Sequence, residues 1–205
     1  MTTVKIAVLV SGGGTNLQAL IDAQNKNIIK HGKIELVISN NSEAYALTRA
    51  RENGIETAIV KRGSEVDIED QIIKLLGEYE IDLIVLAGFM CILSEKFTSR
   101  YPERIINVHP SLIPSFCGKG YYGLRVHEAA LAYGVKVTGA TVHFVNEVPD
   151  GGRIIMQKAV AVGAHDTPEM LQRRVMRQAE WKILPVACEK VCRDIVSKKK
   201  NGLVK

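Results

Sequence analysis

Short β-branched apolar runs alternate, over the first half of the chain, with segments whose apolar residues recur every three to four positions. Residues 4–10, 34–39, 57–60, 83–87 and 105–109 read as strands, and residues 16–28, 44–53, 67–79 and 95–100 read as helices. Strands alternating with helices predict βαβ units, so a mainly parallel sheet with helices on both faces. The pattern then changes. Residues 136–146 and 153–162 are two long strand-like runs joined by Glu147-Val148-Pro149-Asp150-Gly151-Gly152, a turn-rich connector that predicts an antiparallel addition in the C-terminal half. A last amphipathic helix is predicted from residue 168 to about residue 196, interrupted or kinked near Pro185. No repeat or low-complexity linker interrupts the chain, so residues 1–205 read as a single α/β domain.

Composition narrows the class. With 46% hydrophobic and 24% charged residues among 205, a disordered, collagen-like or disulfide-scaffold chain is excluded. The apolar runs are too short to span a bilayer, and Met1-Thr2-Thr3-Val4-Lys5 leads straight into a strand without a signal-peptide pattern. Of the four cysteines, Cys188 and Cys192 share a helical face, while Cys91 and Cys117 stand alone. None has further ligands at zinc-finger spacing, so reduced thiols in a cytoplasmic protein without a metal are expected. The net charge of +5 suits either nucleic acid or small anionic substrates. Much of it lies in Lys198, Lys199, Lys200 and Lys205, which read as a solvated tail.

Candidate chemistry begins where the first strand ends, in Ser11-Gly12-Gly13-Gly14-Thr15-Asn16 before a helix. Glycines let backbone N–H groups approach a ligand, and a helix N-terminus favours an anion, so a phosphate fits. The alternative is a tight turn with Thr15 or Asn16 as N-cap. A dinucleotide fingerprint would require glycine at Leu17 and an acid after the second strand, where the chain reads Ser39-Asn40-Asn41. No nucleoside-triphosphate loop is present either. A monophosphate is the better match.

The second signal is Asn107-Val108-His109-Pro110-Ser111-Leu112-Ile113-Pro114. Asn107 and His109 are two apart on a strand, so they share a face. They sit at the carboxyl end of a parallel strand, where α/β sheets place ligands. An amide and an imidazole together can donate to an oxyanion that develops on a carbonyl oxygen. Asp150 is the best carboxylate to charge such a histidine, although an Asp before glycines is ordinarily a turn residue. Thr141 and His143 also share a strand face, with His143 the more ordinary core or supporting residue. His31, His127 and His165 show no partner in the sequence.

These segments, with Leu86-Ala87-Gly88-Phe89-Met90 and Thr141-Val142-His143-Phe144-Val145, resemble the phosphoribosylglycinamide formyltransferase family over roughly residues 5–185. The resemblance implies a Rossmann-like fold. It implies transfer of a formyl group from 10-formyltetrahydrofolate to the amine of glycinamide ribonucleotide, in purine synthesis. Asn107, His109 and Asp150 match the family's catalytic triad. Gly12, Gly13, Gly14, Thr15, Asn16 and Glu180 match positions around the phosphoribosyl group. Met90, Cys91, Ile92, Leu93, Asn107, Asn146, Glu147, Val148, Pro149 and Asp150 match the folate pocket. The family implies no metal, no nucleic acid or membrane partner, and a monomer or weak homodimer. Two departures stand out. Cys91 occupies a position that is often longer and basic, and Phe116-Cys117-Gly118-Lys119-Gly120-Tyr121-Tyr122-Gly123 replaces a proline-glycine form.

Three other readings compete. A different folate-dependent formyl enzyme, such as a formyltetrahydrofolate hydrolase or methionyl-tRNA formyltransferase, is expected to carry an additional domain. A hydrolase using Ser111 or Cys117 with His109 lacks a G-x-S-x-G elbow. A nucleic-acid binder using Arg173, Arg174, Arg177 and the lysine tail would have few aromatic residues for stacking, at 5% of the chain.

Overall fold

The computed structural model describes residues 3–61, 63 and 65–202; Met1, Thr2 and Lys205, included in the sequence reading, lie outside these. Seven strands form one sheet: β1 (Val4–Val10), β2 (Gly32–Ser39), β3 (Glu56–Ile59), β4 (Leu83–Leu86), β5 (Ile105–His109), β6 (Val137–Phe144) and β7 (Ile154–Ala161). Their order is β3-β2-β1-β4-β5-β6-β7. The pairs among β1 to β5 are parallel, whereas β5–β6 and β6–β7 are antiparallel. The expected parallel sheet with an antiparallel addition is therefore present.

Alternation along β1 divides the core. Val4, Ile6, Val8 and Val10 pack with α1 (Thr15–Asn25) and α2 (Tyr45–Glu52) on one face. Ala7 and Leu9 pack with Ile72 and Leu76 of α3 (Ile68–Glu78) and with Phe97 of α4 (Glu95–Thr98) on the other. Such period-two alternation lets a central strand bury both sides.

Two elements depart from expectation. Residues 124–133 form α5 (Leu124–Tyr133), which the sequence reading left unassigned. No side chain caps it; it starts at Gly123 and stops at Gly134, both at positive φ. Only Val126, His127 and Ala130 are buried, so its apolar stripe is short. The C-terminal helix is interrupted near Pro185, but by a π-helical turn that ends five residues before it. After α6 (Pro168–Val175), residues Met176–Glu180 form a π-helical turn, and α7 (Trp181–Lys200) follows with Pro185 inside it. Proline cannot donate to the carbonyl one turn earlier and crowds it. Widening the turn just upstream accommodates that defect, and π-turns concentrate at functional positions. This one ends on Glu180.

The lysine run is not a free tail. It forms the last turn of α7, with Lys199 Nζ 2.5 Å from Asp82 and Lys198 Nζ 3.3 Å from Glu103. His31 also has a partner, with Nδ1 2.6 Å from Glu189. No described helix is long and apolar enough to cross a membrane.

Candidate active site

The strand order reverses direction beside β1, whose neighbours are β2 and β4. The carboxyl ends of the strands at such a switch point leave a crevice for ligands. Both loops that leave this point are tied together, since the Met90 N–H donates to Ser11 Oγ at 2.8 Å.

Gly14 is the N-cap of α1 at φ 71, and no side chain caps the helix. The capping alternative for Thr15 or Asn16 is therefore not what forms. The first N–H groups of α1 keep their need for an acceptor, which an anion can meet. Gly14 has a packing duty as well: a Cβ there would lie 2.6 Å from Ala46 Cβ. Gly12 and Gly13 are exposed and face open space. Arg49 adds positive charge, donating from Nε to the Gly13 carbonyl at 2.9 Å.

Asn16 turns inward. Its Nδ2 donates to Glu180 Oε2 at 2.7 Å, and its buried Oδ1 has no partner among the described residues. Burial pushes the Glu180 carboxyl up to about 7, with the Asn16 hydrogen bond opposing. The matched positions Gly12 to Asn16 and Glu180 thus converge, although 164 residues separate Asn16 from Glu180.

At the β5 end, antiparallel register sets Asn107 opposite His143 and His109 opposite Thr141. Asp150 completes the group. His109 Nδ1 lies 3.5 Å from Asp150 Oδ2, and His143 Nε2 lies 3.6 Å from Asp150 Oδ1. His143 Nδ1 donates to the Phe144 carbonyl at 2.8 Å, so in the neutral ring Nε2 is the acceptor for Asn107 Nδ2 at 3.2 Å. One Asn107 amide hydrogen is thereby used and the other is left for a ligand. Asp150 sits in a turn, as an Asp before glycines ordinarily does, at φ 57, yet its carboxylate reaches both histidines.

The loop after β5 closes the network. His109 Nε2 donates to the Phe116 carbonyl at 2.9 Å, and the Gly118 N–H donates to Asp150 Oδ2 at 2.8 Å. Burial would raise the Asp150 carboxyl, but its pairing with His143 and His109 and the Gly118 N–H hold it below its ordinary value. Burial lowers the His109 pKa; Asp150 and the Phe116 carbonyl raise it, without cancelling the effect of burial. The charge of Asp150 thus acts in the expected direction, but the net shift is downward. His127 is buried beside this group, with neither ring nitrogen partnered among the described residues. Desolvation, reinforced by the charge of His109, lowers its pKa to about 4, so it stays neutral.

Of the matched folate positions, Met90, Ile92, Glu147, Val148 and Pro149 are exposed, and Cys91 and Asn146 are half-buried. Cys91 Sγ accepts from Asn40 Nδ2 at 3.1 Å, and Asn146 Oδ1 accepts from the Val148 N–H. Leu93 differs from these in its burial. Its side chain is buried in the core with Leu86 and Phe97, because the chain turns inward there to start α4. Only its backbone can face a ligand.

The rival nucleophiles are poorly placed. Ser111 Oγ donates to the Ser115 carbonyl, and the Cys117 thiol donates to the Pro114 carbonyl. Burial and the Asp150 charge raise the Cys117 pKa, which disfavours thiolate. The arginine stripe is broken too, since Arg174 pairs with the buried Asp166. Sequence reasoning did not single out Gln157, the Phe116 carbonyl or the Gly118 N–H. Backbone groups carry no sequence signal, and Gln157 gains its meaning only from strand pairing.

Comparison with known proteins agrees with this geometry. The formyl transferase family model matches residues 4–188. The chain is 43% identical to phosphoribosylglycinamide formyltransferase of Haemophilus influenzae, covering 89% of this chain and 84% of that protein. It spans 69% of a chloroplastic phosphoribosylglycinamide formyltransferase of Arabidopsis thaliana and 64% of that of Vigna unguiculata. It spans only 19% of the human trifunctional purine biosynthetic protein adenosine-3. The crystal structure of phosphoribosylglycinamide formyltransferase from Anaplasma phagocytophilum superposes with a TM-score of 0.84 at 42% identity, covering 93% of this chain and 87% of that one. Glycinamide ribonucleotide transformylase 1 from Symbiobacterium toebii gives 0.87 at 38% identity, covering 94% and 89%. With an uncapped glycine turn, a β5 amide and imidazole, and these likenesses over most of its length, the chain belongs to the phosphoribosylglycinamide formyltransferase family.

Proposed function

We propose that this protein transfers a formyl group from 10-formyltetrahydrofolate to the amine of glycinamide ribonucleotide. The observation that carries the reading is the convergence of Asn107, His109 and Asp150 at the carboxyl end of the parallel strands, the end that also bears the uncapped turn. The turn offers N–H groups for the phosphate. The orphaned Asn16 Oδ1 suits a ribose hydroxyl, a donor that would end its isolation. Exposed Met90, Ile92 and Val148 offer an apolar rim for the folate ring system.

The amine nitrogen bonds to the formyl carbon, and negative charge builds on the formyl oxygen. The second Asn107 amide hydrogen is free to donate there. His109 Nε2, now on the Phe116 carbonyl, donates to the same kind of acceptor and is a second candidate. Asp150 favours the charged imidazole by its own charge. The bond from the formyl carbon to the folate nitrogen then breaks, and the amine proton passes to that nitrogen, with a positioned water as carrier. The test is product formation with both substrates together and each alone. Formylated ribonucleotide and tetrahydrofolate in equal amounts support the reading. Formate release without the ribonucleotide, at an equal rate, supports a formyltetrahydrofolate hydrolase instead.

A further inference from the structure

Gln157 belongs to β7, the outermost strand, and its amide hydrogen bonds go to Ile113 and Thr141 rather than to the three proposed catalytic side chains. Its residue is exposed, yet its amide is committed. Nε2 donates to the Ile113 carbonyl and to Thr141 Oγ1, each at 3.0 Å. Thr141 is fully buried on β6. Its hydroxyl donates to the Ser111 carbonyl at 2.7 Å and accepts from the Ile113 N–H at 3.1 Å. One hydroxyl offers one hydrogen and two lone pairs, so these two contacts and Gln157 use all of its capacity. Together the two side chains fix residues 111–113, where the chain leaves β5.

A few residues further on, the same loop supplies the Phe116 carbonyl to His109 and the Gly118 N–H to Asp150. The loop is thus the shared partner of both catalytic groups. It selects the His109 tautomer with hydrogen on Nε2, and it orients the Asp150 carboxylate. A loop held at its root by saturated, partly buried hydrogen bonds transmits its register to its next few residues. We propose that Gln157 and Thr141 are positioning residues for formyl transfer, acting through the 111–118 loop on His109 and Asp150.

The inference rests on the catalytic reading of His109 and Asp150, but part of its test needs no turnover. Gln157→Glu keeps size and replaces both donor hydrogens by acceptors, which would face the Ile113 carbonyl. Gln157→Leu removes the polarity altogether. Imidazole nitrogen NMR should show the His109 Nε2–H tautomer in the parent and a mixture in both variants. Hydrogen exchange at the Gly118 amide should quicken, while amides of β1 and β4 stay protected. In turnover, kcat should fall about tenfold or more, as small misplacements of catalytic groups do. The KM for the ribonucleotide should hold, because its turn lies on β1. Thr141→Val should reproduce this pattern, and Thr141→Ser should restore most of it by returning the hydroxyl. An unchanged His109 tautomer and Gly118 protection in the folded Gln157 variants would overturn the inference. So would a kcat loss without those changes. If either Gln157 variant fails to fold, the Thr141→Val and Thr141→Ser pair decides by the same two signatures. A parent enzyme without transfer activity, but with the NMR changes present, would instead overturn the functional reading.

Discussion

The glycine turn and the β5 end share the carboxyl end of the parallel strands but are built in opposite ways. The turn is local: Gly12, Gly13, Gly14 and the start of α1 come from one continuous stretch, and its proposed ligand groups are backbone N–H donors. The β5 end is assembled from two stretches far apart in the chain, one carrying Asn107, His109 and the 111–118 loop, the other Thr141, His143 and Asp150. A local device tolerates change wherever its backbone has room. An assembled one fails when any contributing segment shifts. Substitutions can test that contrast.

The largest effect belongs to the assembled end. His109→Ala should lower kcat by roughly 10²–10³, the usual cost of removing one oxyanion donor. Steady-state kinetics of the folded variant check this, and a near-normal kcat would remove His109 from the mechanism.

Within the turn, Gly14 and Gly13 should part company. Gly14→Val forces a β-branched residue to positive φ and drives its Cβ into Ala46. The cost should be about 2 kcal/mol or more, read from urea unfolding, so loss of binding there would say little about phosphate. Gly13→Ala has room, and stability should change by under roughly 0.5 kcal/mol. Its effect should be a raised KM for the ribonucleotide with little change in kcat. An unchanged KM would make the turn purely structural.

Glu180 joins the turn to the core and should imprint a pH dependence. Its folded pKa is about 7, above the ordinary value of 4.5, so the folded state binds the proton more tightly than the unfolded state. Stability should therefore fall as pH rises between about 4.5 and 7 and level off above. The loss is on the order of 3 kcal/mol from the size of the shift. Glu180→Gln keeps the acceptor for Asn16 and removes the charge. Its stability curve should be flatter over that range and exceed the parent's at pH 8, as thermal melts at several pH values would show. A parallel pair of curves would contradict the buried carboxyl.

Asp150→Asn should act more gently than deletion of His109. Removing the charge takes away the main influence that raises the His109 pKa, so the imidazole should titrate still lower. Each unit is a tenfold loss of imidazolium at neutral pH. NMR titration of His109 beside the pH–rate profile would show both moving together. An unmoved His109 pKa would reduce Asp150 to a turn residue.

The contrast also explains what could be read from the chain. The β1 turn was legible because its glycines, its strand and its helix are contiguous, and Asn107 with His109 because a strand's period is two. Asp150 was legible as a candidate carboxylate for His109, but a turn role was the more ordinary reading of its own neighbours. Its turn-rich neighbours predict the antiparallel return of β6 and β7, but not that β6 pairs with β5 and so carries Asp150 to His109. Glu180 needed the π-helical turn, which shifts a helix face by less than one residue and leaves no compositional mark. The burial of the Leu93 side chain was not legible, because an apolar residue in a loop looks the same whether it lines a ligand or enters the core. Helix α5 escaped because both its ends are glycines and its buried stripe is short.

The central claim is that Asn107 and His109 act on one developing oxyanion. The direct measurement is a kinetic cycle of formyl transfer with Asn107→Ala, His109→Ala and the double variant, each shown to be folded. Groups that act as a unit are strongly non-additive, so the double variant should lose little more kcat than the worse single one. Losses that multiply fully would place the two residues on separate steps and contradict the account.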